Sequence, residues 1–268
     1  MSFVRIATPL SPGAPIDQHY REAGQGEPLL ILHGGWGSAF YPFDAALAEL
    51  GGEHRFLIPD RTGYGRSPRI PALPPRFHEA AAIEVEVFLD ALGIERCAIW
   101  GHSDGAVIAA IAALRRPDRY RAIVLEALHL DREKPGSRAF FTMMAEAPDG
   151  FGPRVAARLA ADHGDTWRDV LRIGGRAWLA IAANPGDDFF DGRLHELRVP
   201  ALVLHGKGDP RTEPGELDRV RRDVPAAQLH LIPGGGHSPH SERTTAAACT
   251  AAAAAFLRAH GAVPPKTA

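Results

Sequence analysis

The sequence predicts one large α/β domain built on a mostly parallel β-sheet with helices on both faces. Short apolar runs, such as residues 29–32 and 122–125, alternate with helical patterns, as strands covered on both faces do. Residues 98–108 join an apolar strand to an apolar helix through Gly-x-Ser-x-Gly. The length of 268 residues suits a single domain with an insertion better than two independent domains.

The predicted elements follow one another in an alternating order. Besides the strand before Gly-x-Ser-x-Gly, strands are predicted at residues 3–6, 18–22, 29–32, 55–59, 122–125, 201–204 and 229–232. Helices are predicted at 43–50, at 77–92, after Gly-x-Ser-x-Gly as far as 116, and at about 242–260. We expect the strand at 18–22 to lie at an edge of the sheet and the tail at 261–268 to fray. The order indicates parallel strands joined by crossover helices.

The alternation stops after the strand at 122–125. Residues 129–196 contain helical stretches rich in aromatic side chains and no convincing strand. We therefore expect a helical cap, or lid, at 129–196, inserted into a core formed by residues 1–128 and 197–268. The cap aromatics first of all form its own core, and a subset of them is expected to line a pocket.

The stretch Gly101-His102-Ser103-Asp104-Gly105 has the form of a nucleophile elbow, a serine on a tight turn between a strand and a helix. The turn strains the serine backbone, and its neighbours pack too closely to tolerate a Cβ, which explains the two glycines. The helix that follows points its free N–H groups at the same place. Ser103 is therefore the candidate nucleophile.

A serine nucleophile needs a histidine base, and that base needs a carboxylate to orient it. His237 follows a glycine-rich loop after the last strand, and Asp209 follows the strand at 201–204. The order Ser103, Asp209, His237 is the order in which these three roles occur in one class of α/β enzymes. Glu126 is the alternative acid. His240 and His102 are the alternative bases.

The oxyanion that forms in acyl transfer needs two N–H donors. The backbone of Asp104 is positioned to supply one, and that of Gly35, in a glycine-rich loop after an early strand, to supply the other. His33 is expected to brace this loop. These contacts would be made by the backbone, so side-chain substitution tests them poorly.

Composition excludes several other classes of protein. A net charge of −2 gives no argument for nucleic acid or for an anionic membrane surface. The start of the sequence lacks the pattern of a signal peptide, and Cys97 and Cys249 imply no disulfide framework, so we expect two buried thiols in a cytoplasmic protein. His237 and His240 are too few ligands for a zinc site, and no metal is expected.

Together these residues resemble the α/β-hydrolase family, in particular its lid-bearing intracellular members. The segments that carry the resemblance are 33–34, 60–67, 101–105, 206–209 and 236–237. The resemblance implies an eight-stranded, mostly parallel sheet, a cap after strand six and no cofactor. It also implies that Asp60 and Arg61 organise loops near the oxyanion side. Relatives that act on epoxides or haloalkanes carry aspartate where this chain has Ser103.

The sequence thus predicts a serine hydrolase that acts on a small or medium ester, thioester or lactone with an apolar acyl part. Trp36, Phe40, Phe141 and Trp178 are the candidate substrate contacts. The triad also permits cleavage of a carbon–carbon or peptide bond, although Ser238 follows His237 where carbon–carbon bond hydrolases have an aromatic residue nearby. A receptor that turns over slowly is a further alternative. The expected partner is a small molecule, with neither nucleic acid nor membrane, and the sequence leaves open whether the chain forms a homo-oligomer.

Overall fold

Eight strands form one sheet in the computed structural model, which describes residues 2–184 and 188–260. The predicted tail at 261–268 lies outside the described residues. The strands are β1 (Ser2–Ile6), β2 (Ile16–Gly24), β3 (Glu27–Leu32), β4 (His54–Pro59), β5 (Cys97–His102), β6 (Tyr120–Glu126), β7 (Ala201–Gly206) and β8 (Gln228–Ile232). Their spatial order is β1-β2-β4-β3-β5-β6-β7-β8.

The sheet is mostly parallel, which confirms the predicted fold class. From β4 to β8 each strand runs parallel to its neighbour, while β2 is antiparallel to both β1 and β4. The prediction that β2 lies at an edge is wrong, because β1 pairs along its outer side. The polar side chains of Gln18 and His19 are buried there and hydrogen bond to Asp60 instead of facing solvent.

Helices cover both faces of the sheet. They are α1 (Asp44–Leu50), α2 (Phe77–Ala91), α3 (Asp104–Arg115), α4 (Arg138–Glu146), α5 (Pro153–His163), α6 (Trp167–Ala182), α7 (Glu216–Asp223) and α8 (Ala246–His260). Side chains of α2 and α3 belong to one apolar cluster, and those of α1 and α8 belong to another on the opposite face. Cys97 and Cys249 are buried free thiols, as predicted. None of the helices in the described residues is long and apolar enough to cross a membrane.

Two helices depart from the sequence prediction. The sequence analysis did not predict α7, because it is largely charged and buries only Glu216 and Val220. The last helix begins at Ala246 rather than near residue 242, because the Glu242 side chain binds the loop that carries His237. Its carboxylate accepts hydrogen bonds from the backbone N–H groups of Gly236, at 2.8 Å, and Ser238, at 3.0 Å.

Between β6 and β7 the chain forms α4, α5 and α6, which we call the helical insertion. The rings of Phe141 on α4 and Trp178 on α6 stack 4.9 Å apart with only 4° between their planes. Gly175 permits this approach, because a Cβ at that position would lie 2.6 Å from the carbonyl oxygen of Phe141. The helical insertion therefore has a close aromatic contact at its centre.

The end of α5 fastens the helical insertion to two loops of the sheet. His163 accepts a hydrogen bond at Nδ1 from the Gly65 N–H, at 3.0 Å, and its Nε2–H donates to the Trp36 carbonyl, at 3.1 Å. Asp162 accepts a hydrogen bond from the Ala39 N–H. Burial lowers the pKa of His163, so its ring is neutral near pH 7. A neutral ring can accept a hydrogen bond at Nδ1 and donate one from Nε2.

Candidate active site

Ser103 stands on a sharp turn between β5 and α3. Its backbone has φ 54° and ψ −119°, a left-handed conformation that is rare for a residue with a side chain. A Cβ at Gly101 would lie closer than 3.0 Å to the Gly105 carbonyl oxygen. A Cβ at Gly105 would lie closer than 3.0 Å to the Leu32 carbonyl oxygen. Both glycines of Gly-x-Ser-x-Gly are therefore required by packing, as the elbow prediction assumed.

The structure brings Ser103, His237 and Asp209 into one chain of hydrogen bonds. The Ser103 Oγ lies 3.1 Å from His237 Nε2. On the other side of the ring, His237 Nδ1 lies 3.0 Å and 2.9 Å from the two carboxylate oxygens of Asp209. The three residues follow β5, β8 and β7, whose carboxyl ends meet at the same edge of the parallel sheet.

Asp209 is held as a carboxylate. Burial acts to raise its pKa, but hydrogen bonds from His205 and His237, and one from the Arg211 backbone N–H, leave the pKa far below its usual range. His205 Nε2 lies 3.3 Å from Asp209 Oδ2. Asp209 is thus ionised at neutral pH and fixed in orientation by several donors.

His237 is held in its neutral form. Burial lowers the pKa of its imidazole below 6.5, and the hydrogen bond and charge of Asp209 offset part of that effect. The backbone carbonyl of His237 accepts a hydrogen bond from His102 Nε2, at 3.0 Å. A neutral imidazole with its Nδ1–H on Asp209 presents Nε2 as a proton acceptor to Ser103.

The alternative acid Glu126 and the alternative base His240 hydrogen bond to each other and not to Ser103. Glu126 is fully buried and accepts hydrogen bonds from Trp100 Nε1, at 2.9 Å, and His240 Nδ1, at 2.8 Å. Burial acts to raise the pKa of Glu126, but His240 and His102 lower it to about 2. Because its oxygens face these partners, Glu126 does not contact His237.

His102, Glu126 and His240 also form the one group of possible metal ligands found among residues 2–184 and 188–260, with their ligand atoms within 4.8 Å of one another. The hydrogen bonds between Glu126 and His240, and between His102 and the loop that carries His237, already use most of these atoms. The cluster is therefore a buried hydrogen-bonded support beneath that loop. His237 and His240 point to different partners and share no site.

The two candidate oxyanion donors, the backbone N–H groups of Gly35 and Asp104, lie close to Ser103 in the structure. Residues 33–37 form the glycine loop, in which a Cβ at Gly34 would lie 3.1 Å from Ser103 Cβ and one at Gly35 would lie 3.0 Å from Asp104 Oδ2. Within the described part of the chain, neither the Gly35 N–H nor the Asp104 N–H has a hydrogen-bond acceptor. Both donors are thus available to a ligand.

His33 and Arg61 hold the glycine loop. His33 Nε2 accepts a hydrogen bond from the Arg61 N–H, at 3.1 Å, and its Nδ1–H donates to the Gly34 carbonyl, at 2.7 Å. The Arg61 side chain donates to the same carbonyl, at 3.0 Å. Burial and the Arg61 charge lower the pKa of His33 to about 3, so the ring stays neutral.

Asp60 fixes the neighbouring loop. Its carboxylate accepts hydrogen bonds from His19, at 2.8 Å, from Ser38, at 2.9 Å, and from the Arg66 N–H, at 2.9 Å. These contacts bind β2 to the loops that follow β3 and β4. Asp60 and Arg61 therefore organise loops beside the glycine loop, where the sequence analysis expected them.

A largely apolar cavity opens beside Ser103. Three of the four predicted substrate contacts, Trp36, Phe141 and Trp178, line it. Phe40 differs, because it is buried behind Trp36, with the two ring centroids 4.7 Å apart, and supports that ring without reaching the cavity.

Three polar residues that line the cavity are not predicted from the sequence: His129, Tyr41 and Arg211. His129 Nε2 lies 3.5 Å from Ser103 Oγ, and burial keeps the pKa of His129 well below its usual value. A histidine soon after β6 was one available signal. Another was an arginine two places after Asp209.

Comparisons with known proteins identify the family and similar folds. Residues 29–250 match the model of the alpha/beta hydrolase family. The human serine hydrolase BPHL is 26% identical over 243 residues, which cover 84% of this chain and 78% of that protein. Mouse sn-1-specific diacylglycerol lipase ABHD11 is 28% identical over 239 residues, covering 80% of this chain and 76% of the lipase. The structure of an esterase from Thermogutta terrifontis superposes with a TM-score of 0.73 at 25% identity, covering 97% of this chain and 99% of the esterase.

Proposed function

This chain belongs to the alpha/beta hydrolase family, and we propose that it is a serine hydrolase that cleaves a small or medium ester, thioester or lactone with an apolar acyl part. One observation carries the proposal: Ser103 Oγ lies 3.1 Å from His237 Nε2, and His237 Nδ1 lies within 3.0 Å of both Asp209 oxygens. A serine, a neutral imidazole and an ionised carboxylate in this order are the parts that acyl transfer requires.

The first half of the reaction forms an acyl-enzyme. His237 Nε2 takes the hydroxyl proton as Ser103 Oγ bonds to the substrate carbonyl carbon, and Asp209 stabilises the imidazolium that results. The tetrahedral intermediate then collapses, the bond to the leaving oxygen or sulfur breaks, and His237 returns its proton to the leaving group. In the second half, His237 takes a proton from a water molecule as the water oxygen bonds to the acyl carbon. The bond from that carbon to Ser103 Oγ then breaks, His237 returns the proton to Oγ, and the acid is released.

The oxyanion of each tetrahedral intermediate would be bound by the N–H groups of Gly35 and Asp104. Their lack of other acceptors in the described residues supports this role, as does the position of Asp104 in the first turn of α3, where the helix dipole favours negative charge. One such donor is typically worth about 10²–10³ in rate.

The helical insertion would act as a cap over the substrate. Phe141 and Trp178 come from α4 and α6 and line the same cavity as Ser103, while Trp36 comes from the glycine loop. The apolar lining favours a substrate with an apolar body. Phe40 is no longer among the proposed contacts, because it supports Trp36 from behind.

Intact-mass analysis after treatment with a fluorophosphonate probe tests the proposal. We expect one adduct on the wild-type protein, none on Ser103→Ala, and one on the control Ser241→Ala, which removes a serine hydroxyl from the loop that also carries His237. A folded wild-type protein that takes no adduct, or an adduct that persists in Ser103→Ala, would contradict the proposal. The first outcome would favour a small-molecule binding protein.

A further inference from the structure

The cavity beside Ser103 contains a cationic side chain that is not paired with an anion. Arg211 lines the cavity, and in the described residues its guanidinium makes no hydrogen bond and no ion pair. Its carbon Cζ lies 3.5 Å from the ring centroid of Phe140, and the Phe140 ring stacks on Trp36. Stacking on a ring face leaves the N–H groups at the edge of the guanidinium plane free to bind a ligand.

We propose that Arg211 binds a carboxylate on the substrate, so that the enzyme acts on esters, thioesters or lactones that also carry a free carboxylic acid. This inference rests on the proposed function, because it names a substrate class for the same cavity. A guanidinium matches the two oxygens of a carboxylate with two parallel hydrogen bonds, which gives orientation as well as affinity. The aromatic rings around it would receive the apolar part of the same molecule.

The backbone around Arg211 is fixed on both sides, so the side chain starts from a defined place. The Arg211 N–H donates to Asp209 Oδ1, at 2.9 Å, and the Arg211 carbonyl accepts from Lys134 Nζ, at 3.3 Å. Lys134 is itself buried and paired with Glu216, at 2.6 Å. A fixed backbone lowers the entropy that is lost when the guanidinium binds a ligand.

The charges around the cavity favour one negative charge on the ligand. The Asp104 carboxylate is already engaged, with His78 and Trp178 each at 3.2 Å and Arg61 at 3.7 Å. Asp209 adds a negative charge near Arg211, but its oxygens face His237, His205 and a backbone N–H. A singly charged carboxylate is thus better matched to Arg211 than a dianionic phosphate, which Asp209 would repel more strongly.

Calorimetric titration of the Ser103→Ala protein tests the inference without turnover. The ligands are phenylalkanoic acids, from phenylacetate to 6-phenylhexanoate, and the primary amide of each. We expect at least one acid to bind about tenfold to hundredfold more tightly than its amide, as charge-assisted hydrogen bonds predict. Adding Arg211→Gln should abolish the difference, and Arg211→Lys should restore part of it. Arg138→Gln, which removes an exposed charge on α4 outside the cavity, should leave it unchanged.

Three outcomes would overturn the inference: no acid binds, every acid binds like its amide, or the preference survives Arg211→Gln. The fluorophosphonate experiment separates these from failure of the proposed function, because that probe needs no carboxylate. A protein that is labelled at Ser103 but shows no preference for acids would refute the carboxylate site alone. A protein that prefers acids but is never labelled would refute the serine chemistry and retain the binding site.

Discussion

Replacing the Asp209 carboxylate by its amide and replacing the Glu126 carboxylate by its amide should affect the reactivity of Ser103 very differently. Glu126 ends β6 and Asp209 follows β7, at the same edge of the sheet, but Asp209 contacts His237 while Glu126 contacts Trp100 and His240. We expect Asp209→Asn to remove most of the reactivity of Ser103 and also to cost some stability, because several donors bond to its buried charge. Glu126→Gln should lower stability and leave most of that reactivity. The pair is a matched control, because each variant removes one buried charge.

The size of the Asp209 effect follows from its distance to the ring. Two unit charges 4 Å apart interact by about 4 kcal/mol at an effective dielectric constant of 20. The Asp209 oxygens lie 2.9 Å and 3.0 Å from His237 Nδ1, so the imidazolium that forms in the reaction should be stabilised by at least that order. A loss of about 4–5 kcal/mol corresponds to about 10³–10⁴ in rate.

The Glu126 effect should appear as a loss of stability. Hydrogen bonds to a charged group contribute about 1.5–3 kcal/mol each, so loss of the Glu126 charge should cost about 2–4 kcal/mol. For a chain of this size that lowers the melting temperature by roughly 4–16 °C. The rate of fluorophosphonate labelling should stay within about tenfold of wild type, because Glu126 does not contact His237.

The assay measures the second-order rate constant of fluorophosphonate labelling and the melting temperature by circular dichroism for each variant. The reasoning would be refuted if Asp209→Asn were labelled at the wild-type rate while Glu126→Gln lost labelling and stayed stable. That result would make Glu126 the acid and would require the loop that carries His237 to rearrange.

Three further predictions concern packing and pH. Gly105→Ala should prevent folding or abolish labelling, since its Cβ would collide with the backbone of Leu32, and soluble yield together with labelling checks this. The rate of labelling should hold as pH falls to 6.5 and then decline as His237, whose pKa burial lowers, becomes protonated; a midpoint above 6.5 in a pH–rate profile would contradict this. Buried His33 and His102 have folded pKa values of about 3, below 6.5 in the unfolded chain, so their contribution to stability is complete above pH 6.5 and falls between pH 6.5 and 3. Urea unfolding between pH 6.5 and 3 measures this loss of stability, with His102→Gln as the comparison variant.

Strong local signals made much of the fold predictable from sequence. Unbroken apolar runs mark strands that are covered on both faces, so β3, β6 and β7 were found where the residues predict them. The errors arose where polar side chains are buried by pairing with other parts of the chain. The strand β2 was assigned to an edge, although it buries Gln18 and His19 against Asp60, and such pairing is invisible to periodicity.

The candidate site was predictable to the extent that chain order and loop position identify it. Ser103, Asp209 and His237 each follow a strand, and parallel strands bring such residues to one edge. His129 and Arg211 also follow strands, but that local signal does not distinguish a residue that lines a cavity from one at the surface. Their position in the cavity depends on how the helical insertion folds back, and aromatic contacts distant in sequence determine that.

The hydrogen bonds of His163 have a consequence for protein engineering. Grafting a different cap onto a catalytic core is a common route to new specificity, and it assumes that the two parts are interchangeable. Here the imidazole of His163 on α5 hydrogen bonds to the Trp36 carbonyl in the glycine loop and to the Gly65 N–H in the loop after β4. A transplanted cap that lacked this ring would leave the Trp36 carbonyl and the Gly65 N–H without these hydrogen bonds. A chimera of this chain should therefore be joined so that Asp162 and His163 stay with the core loops that they hold.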